Sequence, residues 1–222
     1  MQVKEIVDRV RSAIDEQMAN DSGFIDQSSD EKNLTDVIID KIPYALTYVI
    51  ENAPEDKLSS DSISSPTQAE IAGVTVAAGM CVKMKIPSDV LRIITARLSS
   101  WSLSPLPVTE FSQEYLMQQN DYARGSWDRP VNALVYHGKD RYLEMYSAKT
   151  DSDGIEVGFI RKPADLPSGL DGSSTYDVNV PNRLEAAFIY HLAGLAMVAF
   201  REQVATSLFS IAREYLTGNN HE

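Results

Sequence analysis

The sequence predicts an α+β fold in which helices from both ends of the chain pack together and an antiparallel β module is inserted between them. Both ends carry apolar residues at helical spacing, whereas the middle alternates apolar and polar residues between turn residues. The predicted boundaries place residues 1–57 and 181–222 in a helical domain and residues 58–180 in a β-rich module with long loops.

Two helices are predicted at the N-terminal end. The first covers about residues 3–18, with an apolar stripe on one side and charged residues largely opposite. The second runs from about Lys32 to Asn52. Pro43 lies inside that second pattern, so it should either kink the helix or start a new one.

The residue pattern in the middle of the chain predicts a hairpin and a three-stranded meander. Strands are predicted at residues 71–77, 80–86, 90–98, 133–137, 141–147 and 155–161. The first two are separated by Ala78-Gly79 and form the hairpin, and the last three form the antiparallel meander. A short helix is predicted at Ser112 to Gln119, and the carboxylates Asp151 and Asp153 are interpreted as solvated loop charge.

One long helix is predicted from about Pro181 to Thr217, ended by Gly218. Its stretch Ala186 to Phe200 is apolar on every face but is shorter than the roughly 20 residues that span a membrane. We therefore expect a buried helix and no membrane partner. A helix that is apolar all round must be covered. Neighbouring chains supply part of that cover, or alternatively one chain buries the helix completely.

Composition and residue spacing limit the functions that the chain could have. The net charge of −12 is unfavourable for a protein that grips nucleic acid by its phosphates, although an acidic wall lets DNA slide past. The single cysteine, Cys81, has apolar neighbours and is interpreted as a packing residue. The histidines His137, His191 and His221 lack metal-site spacing, and no nucleophile elbow or phosphate-binding loop is present. We predict no metal, no cofactor and no enzymatic activity.

Four stretches carry a resemblance to a known family. They are VKEIVDRVRSAIDE with LTDVIIDKIPYALTYVIENAPEDKL, then VKMKIPSDVLRIITARLSSW, then RPVNALVYHGKDRYLEMYS with IEVGFIRKPADLP, and finally VPNRLEAAFIYHLAGLAMVAFREQVATSLFSIAREYL. In this order the chain resembles the head-to-tail connector (adaptor) proteins of tailed phages, which include podovirus tail adaptors, and it is also similar to ring proteins of crAss-like phages. The likeness covers nearly the whole chain and rests on element order, not on an invariant motif. The loops at residues 59–68 and 168–179 depart from the family pattern.

The resemblance implies a dodecameric ring beneath the portal protein that extends the DNA channel and docks further tail or ring proteins. The chain would be a virion protein at the head–tail junction, made in the host cytoplasm, past which DNA moves without specific binding. Candidate subunit-interface residues are Val3, Ile6, Val10, Ile14, Phe188, Leu192 and Leu195. Candidate portal-binding residues are Phe209, Arg213, Tyr215 and Leu216, and candidate tail-side docking residues are Trp101, Trp127, Arg129 and Tyr176.

Two other interpretations stay open. The chain could be a soluble, non-enzymatic adaptor or regulatory protein that binds a partner through the β module. It could also be an enzyme whose site is dispersed along the sequence. For the two tryptophans, burial in the core is the alternative to a docking role.

Overall fold

The structure, a computed structural model, describes residues 1–19, 27–58, 60–120, 122–198 and 200–218. Its α-helices are α1 (Val3–Ala19), α2 (Gln27–Asn52), α3 (Gln68–Ile71), α4 (Gln113–Met117), α5 (Glu185–Met197) and α6 (Glu202–Thr217). Its strands are β1 (Val82–Ile86), β2 (Val90–Leu98), β3 (Val108–Thr109), β4 (Val131–His137), β5 (Asp140–Tyr146) and β6 (Ile155–Arg161). The predicted α+β class is confirmed, with an N-terminal helix pair, helices at the C-terminal end, and antiparallel sheets between them that contain a hairpin and a multi-strand meander.

The chain divides into two compact units. The helical unit consists of Met1–Ser60 and Pro163–Glu222, and the β unit consists of Asp61–Lys162. Residues 163–180 therefore belong to the helical unit, whereas the sequence analysis placed them in the β module.

Backbone hydrogen bonds hold residues 163–180 on the helical unit. Val3 N donates to Tyr176 O at 3.0 Å, and Val178 N donates to Met1 O at 2.8 Å. The sequence shows only loop composition in this stretch, so it gives no sign of a pairing partner at the other end of the chain.

The helical unit buries one face of α1 and of α2. The predicted apolar stripe of α1 is buried throughout its described length. Helix α2 runs through Pro43 as one helix, although an interior proline removes a hydrogen bond and costs about 3 kcal/mol. Ile42 and Leu46 are both buried beside it. Burying such side chains stabilises by about 1.5–3 kcal/mol each, which offsets the proline.

The predicted single C-terminal helix is in fact two helices. Helix α5 ends at Met197, Arg201 has an extended backbone with φ −149°, and α6 begins at Glu202. Helix α6 packs on α5, which α1 and α2 also contact. The apolar stretch is thus largely covered within one chain up to Met197, whereas Val198 and Phe200 are exposed, so complete burial in one chain, the alternative that the sequence left open, is met only in part. Among the described residues, no helix is both long and apolar enough to cross a membrane.

A tight contact joins α5 to α6 at Gly194. A Cβ atom at this position would lie 2.6 Å from the ring of Phe209, so a side chain does not fit there without a shift. The Phe209 ring also contacts His191, with ring centroids 5.1 Å apart, and Tyr48 of α2 stacks on His191 at 4.1 Å. Burial lowers the pKa of His191 from 6.5 to about 4.

The β unit contains a four-stranded sheet in the order β1-β5-β4-β3 and a two-stranded sheet of β2 and β6. The strand pairs are antiparallel except β3 with β4, which is parallel. Apolar side chains from β1, β2, β5 and β6 form its core; the large ones are Val82, Met84, Ile86, Leu98, Trp101, Leu143, Met145 and Phe159. Alternate residues of β1 are buried, as expected for a strand with one covered face.

Two details of the predicted β elements differ from the structure. Residues 71–77 are not a strand: Ile71 ends α3, which a capping box of Thr67 and Glu70 begins, and residues 72–77 are turn and irregular structure. Strand β1 pairs with β5 instead. Strands β4 and β5 pair as predicted for the first two strands of the meander, with Gly138 at φ 66° in the turn between them, but β6 pairs with β2 and not with β5.

The loop before β6 has a structural carboxylate. Asp153 is buried and accepts hydrogen bonds from Lys149 N at 2.8 Å and from Ser100 Oγ at 2.6 Å. Burial acts to raise the pKa of Asp153, but hydrogen bonds led by that of Ser100 outweigh it, so this pKa lies below its ordinary value. The interpretation of Asp153 as solvated charge was wrong, since the sequence does not show which donors surround it.

Candidate interaction surface

Half of the exposed large apolar side chains that the structure describes lie in one stretch of the β unit. Of sixteen such side chains, eight fall between residues 103 and 136. We call this stretch the apolar segment; its exposed members are Leu103, Leu106, Phe111, Leu116, Met117, Tyr122, Trp127 and Tyr136. Phe111 is 85% exposed and Tyr122 is 101% exposed. Single exposed apolar residues are normal, but so many within one stretch of the chain make that stretch a candidate interaction surface.

Hydrogen bonds fix the backbone of the apolar segment. The buried side chain of Asn132 on β4 donates to Pro105 O at 2.8 Å, which holds the start of the segment on the sheet. The side chain of Gln118 accepts from Gly125 N at 2.8 Å. Contact points that are already held in place lose less conformational entropy when they bind.

A buried carboxylate lies at the base of α4. Glu144 on β5 is 1% exposed; its Oε2 accepts from the Tyr146 hydroxyl at 2.6 Å, and its Oε1 lies 2.6 Å from Lys83 Nζ. The hydrogen bond to Glu144 raises the pKa of Lys83, and burial is the main cause that raises the pKa of Tyr146. Tyr115 of α4 packs edge-on against Tyr146, with ring centroids 6.3 Å apart. Helix α4 is therefore anchored through Tyr115.

The thiol of Cys81 lies in the same electrostatic environment. Burial, followed by the charge of Glu144, raises the pKa of Cys81 to about 12. At neutral pH its thiolate fraction is then negligible, and the thiolate is the nucleophilic form. Within the described ranges, no group of three or more His, Cys, Asp or Glu side chains could hold a metal ion. What this part of the β unit offers chemically is apolar contact area.

The helical unit has a groove of about 350 Å³ between α1 and α5. Its lining residues are Asp8, Arg9, Ser12, Ala13, Glu16, Ala186, Ile189 and Tyr190. Arg9 lies 2.7 Å from a carboxylate oxygen of Glu5 and 3.1 Å from one of Glu185, so its charge is compensated. Asp8 and Glu16 then leave the groove with a negative rim around an apolar floor.

The residues predicted to form the subunit interface lie mostly inside the chain's own core. Val3, Ile6, Val10, Ile14, Phe188 and Leu192 are each at most 3% exposed, and Leu195 is half-buried. This corrects the prediction, because helices α1, α2, α5 and α6 cover one another. A sister chain cannot touch the six buried side chains unless the helical unit opens.

The predicted portal-binding residues divide into two pairs. Leu216 is buried, and Phe209 is half-buried against Gly194. Arg213 and Tyr215 are exposed, and the Tyr215 ring stacks on Tyr190 with centroids 5.5 Å apart. Only the second pair lies where a portal could contact it.

The predicted tail-side residues are mostly exposed. Trp101 is the correction: it is 3% exposed, and its indole N–H donates to Ser147 O at 3.1 Å, so it is a core residue. Trp127 is exposed, with the Lys149 ammonium 4.0 Å from its ring centroid. Arg129 and Tyr176 are also exposed, but Tyr176 belongs to the helical unit.

Sequence reasoning missed Phe111 and Tyr122, the two most exposed side chains of the apolar segment, and also Leu116. A signal was present. Between residues 111 and 127, aromatic and long aliphatic residues recur among Gln, Asn and Ser without a period that would place them on one buried face. Apolar residues that no predicted element can bury are candidates for contact with another molecule.

No protein-family model matches the sequence, and no curated protein matches it either.

Proposed function

We propose that this chain is a non-enzymatic structural subunit of a head-to-tail connector (adaptor) ring in the virion of a tailed phage. The ring, a dodecamer of this chain, lies beneath the portal protein at the head–tail junction. It extends the DNA channel and presents a docking face to further tail or ring proteins.

The observation that carries this proposal is the apolar segment. It exposes eight large apolar side chains, and hydrogen bonds at Pro105 and Gly125 hold two points of its backbone. Leaving such a surface in water forgoes about 25 cal/mol for each Å² of apolar area that contact would cover. Subunits of a permanent assembly expose such surfaces before they assemble, and the order of elements resembles that of connector proteins.

The charge of the chain supports the same role. A net charge of −12 disfavours phosphate binding, so DNA can pass through a ring of many copies without being held. Carboxylates that line the channel would repel the phosphate backbone and keep the DNA mobile. A channel lined mainly by lysine and arginine would contradict this part of the proposal.

The direct test measures the mass of the purified protein by light scattering, alone and mixed with the portal protein of the same genome. Because connector subunits can stay monomeric until they meet the portal, the mixture is the decisive sample. We expect a complex of portal and ring, visible as stacked rings by electron microscopy. A protein that remains a monomer or dimer in both samples at every concentration contradicts the proposal.

A matched pair of variants connects assembly to the apolar segment. Phe111→Ser should weaken assembly, whereas Tyr44→Ser, which removes a 65% exposed aromatic ring from α2, should leave it unchanged. The second candidate function, a soluble adaptor or regulatory protein, also uses a surface in the β unit. It predicts a monomeric protein that the portal does not recruit.

A further inference from the structure

We propose that Ser147 is a positioning residue for the apolar segment, and that it holds Trp127 in place as the anchor of the contact that the segment makes in the assembled ring. This inference rests on the proposed function, because it names the side chain that makes the contact and the residue that orients it. Tryptophan is among the residue types that dominate binding energy at interfaces.

Trp127 lies at the tip of a tight turn. Ser126 N donates to Arg129 O at 3.2 Å, and Arg129 N donates to Ser126 O at 2.9 Å. This reciprocal pair is an antiparallel bridge, so Trp127 and Asp128 are the two central residues of the turn. The Ser126 hydroxyl also donates to the Asp128 carboxylate. Trp127 is 44% exposed, so much of its surface is open to another molecule although its backbone is held.

The chain that follows β5 supports this turn at two points. The Ser147 hydroxyl donates to Gly125 O, directly before the turn. Two residues after Ser147, the Lys149 ammonium lies 4.0 Å from the centroid of the Trp127 ring. Lys149 N donates to the buried carboxylate of Asp153 at 2.8 Å, which fixes the backbone that carries this ammonium. The Trp127 ring is therefore oriented before a partner binds, and this lowers the entropy that binding costs.

The backbone of Ser147 is strained. Its φ is 72°, and among the residues that the structure describes it is the one non-glycine residue with a positive φ. Glycine adopts this conformation without steric conflict, whereas a residue with a Cβ atom does not. What serine adds over glycine is the hydroxyl that donates to Gly125 O. Strain of this kind is concentrated at functional sites, and here it lies in the support of the exposed Trp127.

The other side of Ser147 is fixed to the core of the β unit. Its carbonyl oxygen accepts the indole N–H of Trp101 at 3.1 Å, and Trp101 is buried. Ser147 thus links a core tryptophan to the turn that carries the exposed one. A hydroxyl in this place transmits the position of the rigid core to the surface.

Two substitutions at Ser147 test the positioning role, because both tolerate a positive φ. Ser147→Gly removes the hydroxyl, whereas Ser147→Asn keeps a side-chain donor in a residue type that is enriched in this conformation. Ser147→Gly should weaken assembly with the portal protein about fivefold or more, as measured by sedimentation velocity. Its melting temperature should change little, because relief of the strained φ offsets the lost hydrogen bond. Ser147→Asn should restore most of the assembly, and Trp127→Ala should weaken it about thirtyfold or more.

Fluorine NMR of the full chain reports the orientation of Trp127 without the portal. The chain has two tryptophans, so protein labelled with 5-fluorotryptophan gives one resonance for each, and Trp127→Phe assigns them. Ser147→Gly should move the Trp127 resonance towards its position in the unfolded chain, and Ser147→Asn should move it back. Lys149→Met, which removes the ammonium at an exposed position, should also move it. This last variant keeps the test valid if Ser147→Gly does not fold.

The two readouts separate the inference from the proposed function. An unchanged Trp127 resonance in both Ser147→Gly and Lys149→Met overturns the inference, whether or not rings form. Wild-type assembly by Ser147→Gly or by Trp127→Ala also overturns it and leaves the proposed function intact. If the wild-type protein forms no complex with the portal, the proposed function fails and the anchor role of Trp127 fails with it. A shifted resonance would still show that Ser147 orients the ring.

Discussion

Helix α5 and the apolar segment are both rich in large apolar residues, but only one of them is exposed. Phe188 and Leu192 of α5 have no exposed surface, because α1, α2 and α6 pack around that helix. Phe111 and Tyr122 of the apolar segment are almost entirely exposed. Hydrophobic content alone therefore does not identify an interface. What matters is whether another element of the same chain can reach the apolar face.

Helix α5 and the apolar segment should differ most in how far a substitution lowers the free energy of unfolding. Leu192→Ala removes a fully buried side chain and should lower the free energy of unfolding by about 2–5 kcal/mol. Leu116→Ala, the same substitution at a 57% exposed position, should change it by less than about 0.5 kcal/mol. Urea denaturation of both variants measures the contrast. Similar losses at the two positions would mean that the apolar segment is covered within the chain.

The contact between α5 and α6 should be intolerant of added volume. Gly194→Ala usually stabilises a helix by about 1 kcal/mol, but here the new methyl group meets the Phe209 ring. We expect a net destabilisation of about 1–3 kcal/mol. Adding Phe209→Leu should recover part of the loss, because the two positions are in contact. A stabilising Gly194→Ala would contradict the close packing that covers α5.

His191 makes the packing of α2 and α6 on α5 sensitive to pH. Its folded-state pKa of about 4 lies below the value near 6.5 of an unfolded chain, so the unfolded state binds the proton first as the pH falls. The free energy of unfolding should therefore decrease between about pH 6.5 and pH 4, by about 1–2 kcal/mol after allowance for partial solvent screening. His191→Phe keeps a ring beside Tyr48 and Phe209 and should flatten that profile. An unchanged profile in this variant would assign the pH dependence to other groups.

The sequence predicted individual helices, caps and turns more reliably than it predicted which strands pair with each other. The amphipathic spacing of α1, the Ser112 cap of α4 and the turn at Gly138 are local signals, and the structure contains all three. The pairing of β6 with β2 depends on contacts between residues far apart in the chain. No local signal encodes that choice.

The candidate surface was predictable only in part. Trp127 and Arg129 were named as tail-side docking candidates, and both are exposed. The buried interface candidates failed because the turn between α5 and α6 is not marked by a proline or glycine. Without that turn, the sequence indicates one long helix with too much apolar surface. The turn allows α6 to supply the cover that was assigned to another subunit.

The smallest effect on stability should accompany the largest effect on association. Phe111 is 85% exposed, so Phe111→Ser should change the free energy of unfolding by less than about 0.5 kcal/mol. The same variant should weaken assembly with the portal protein, because it removes an aromatic ring from the surface that contact would cover. Denaturation and sedimentation velocity on one sample separate the two effects. If Phe111→Ser destabilises the fold by as much as Leu192→Ala, its ring belongs to the β unit's own core, and the apolar segment is not an interaction surface.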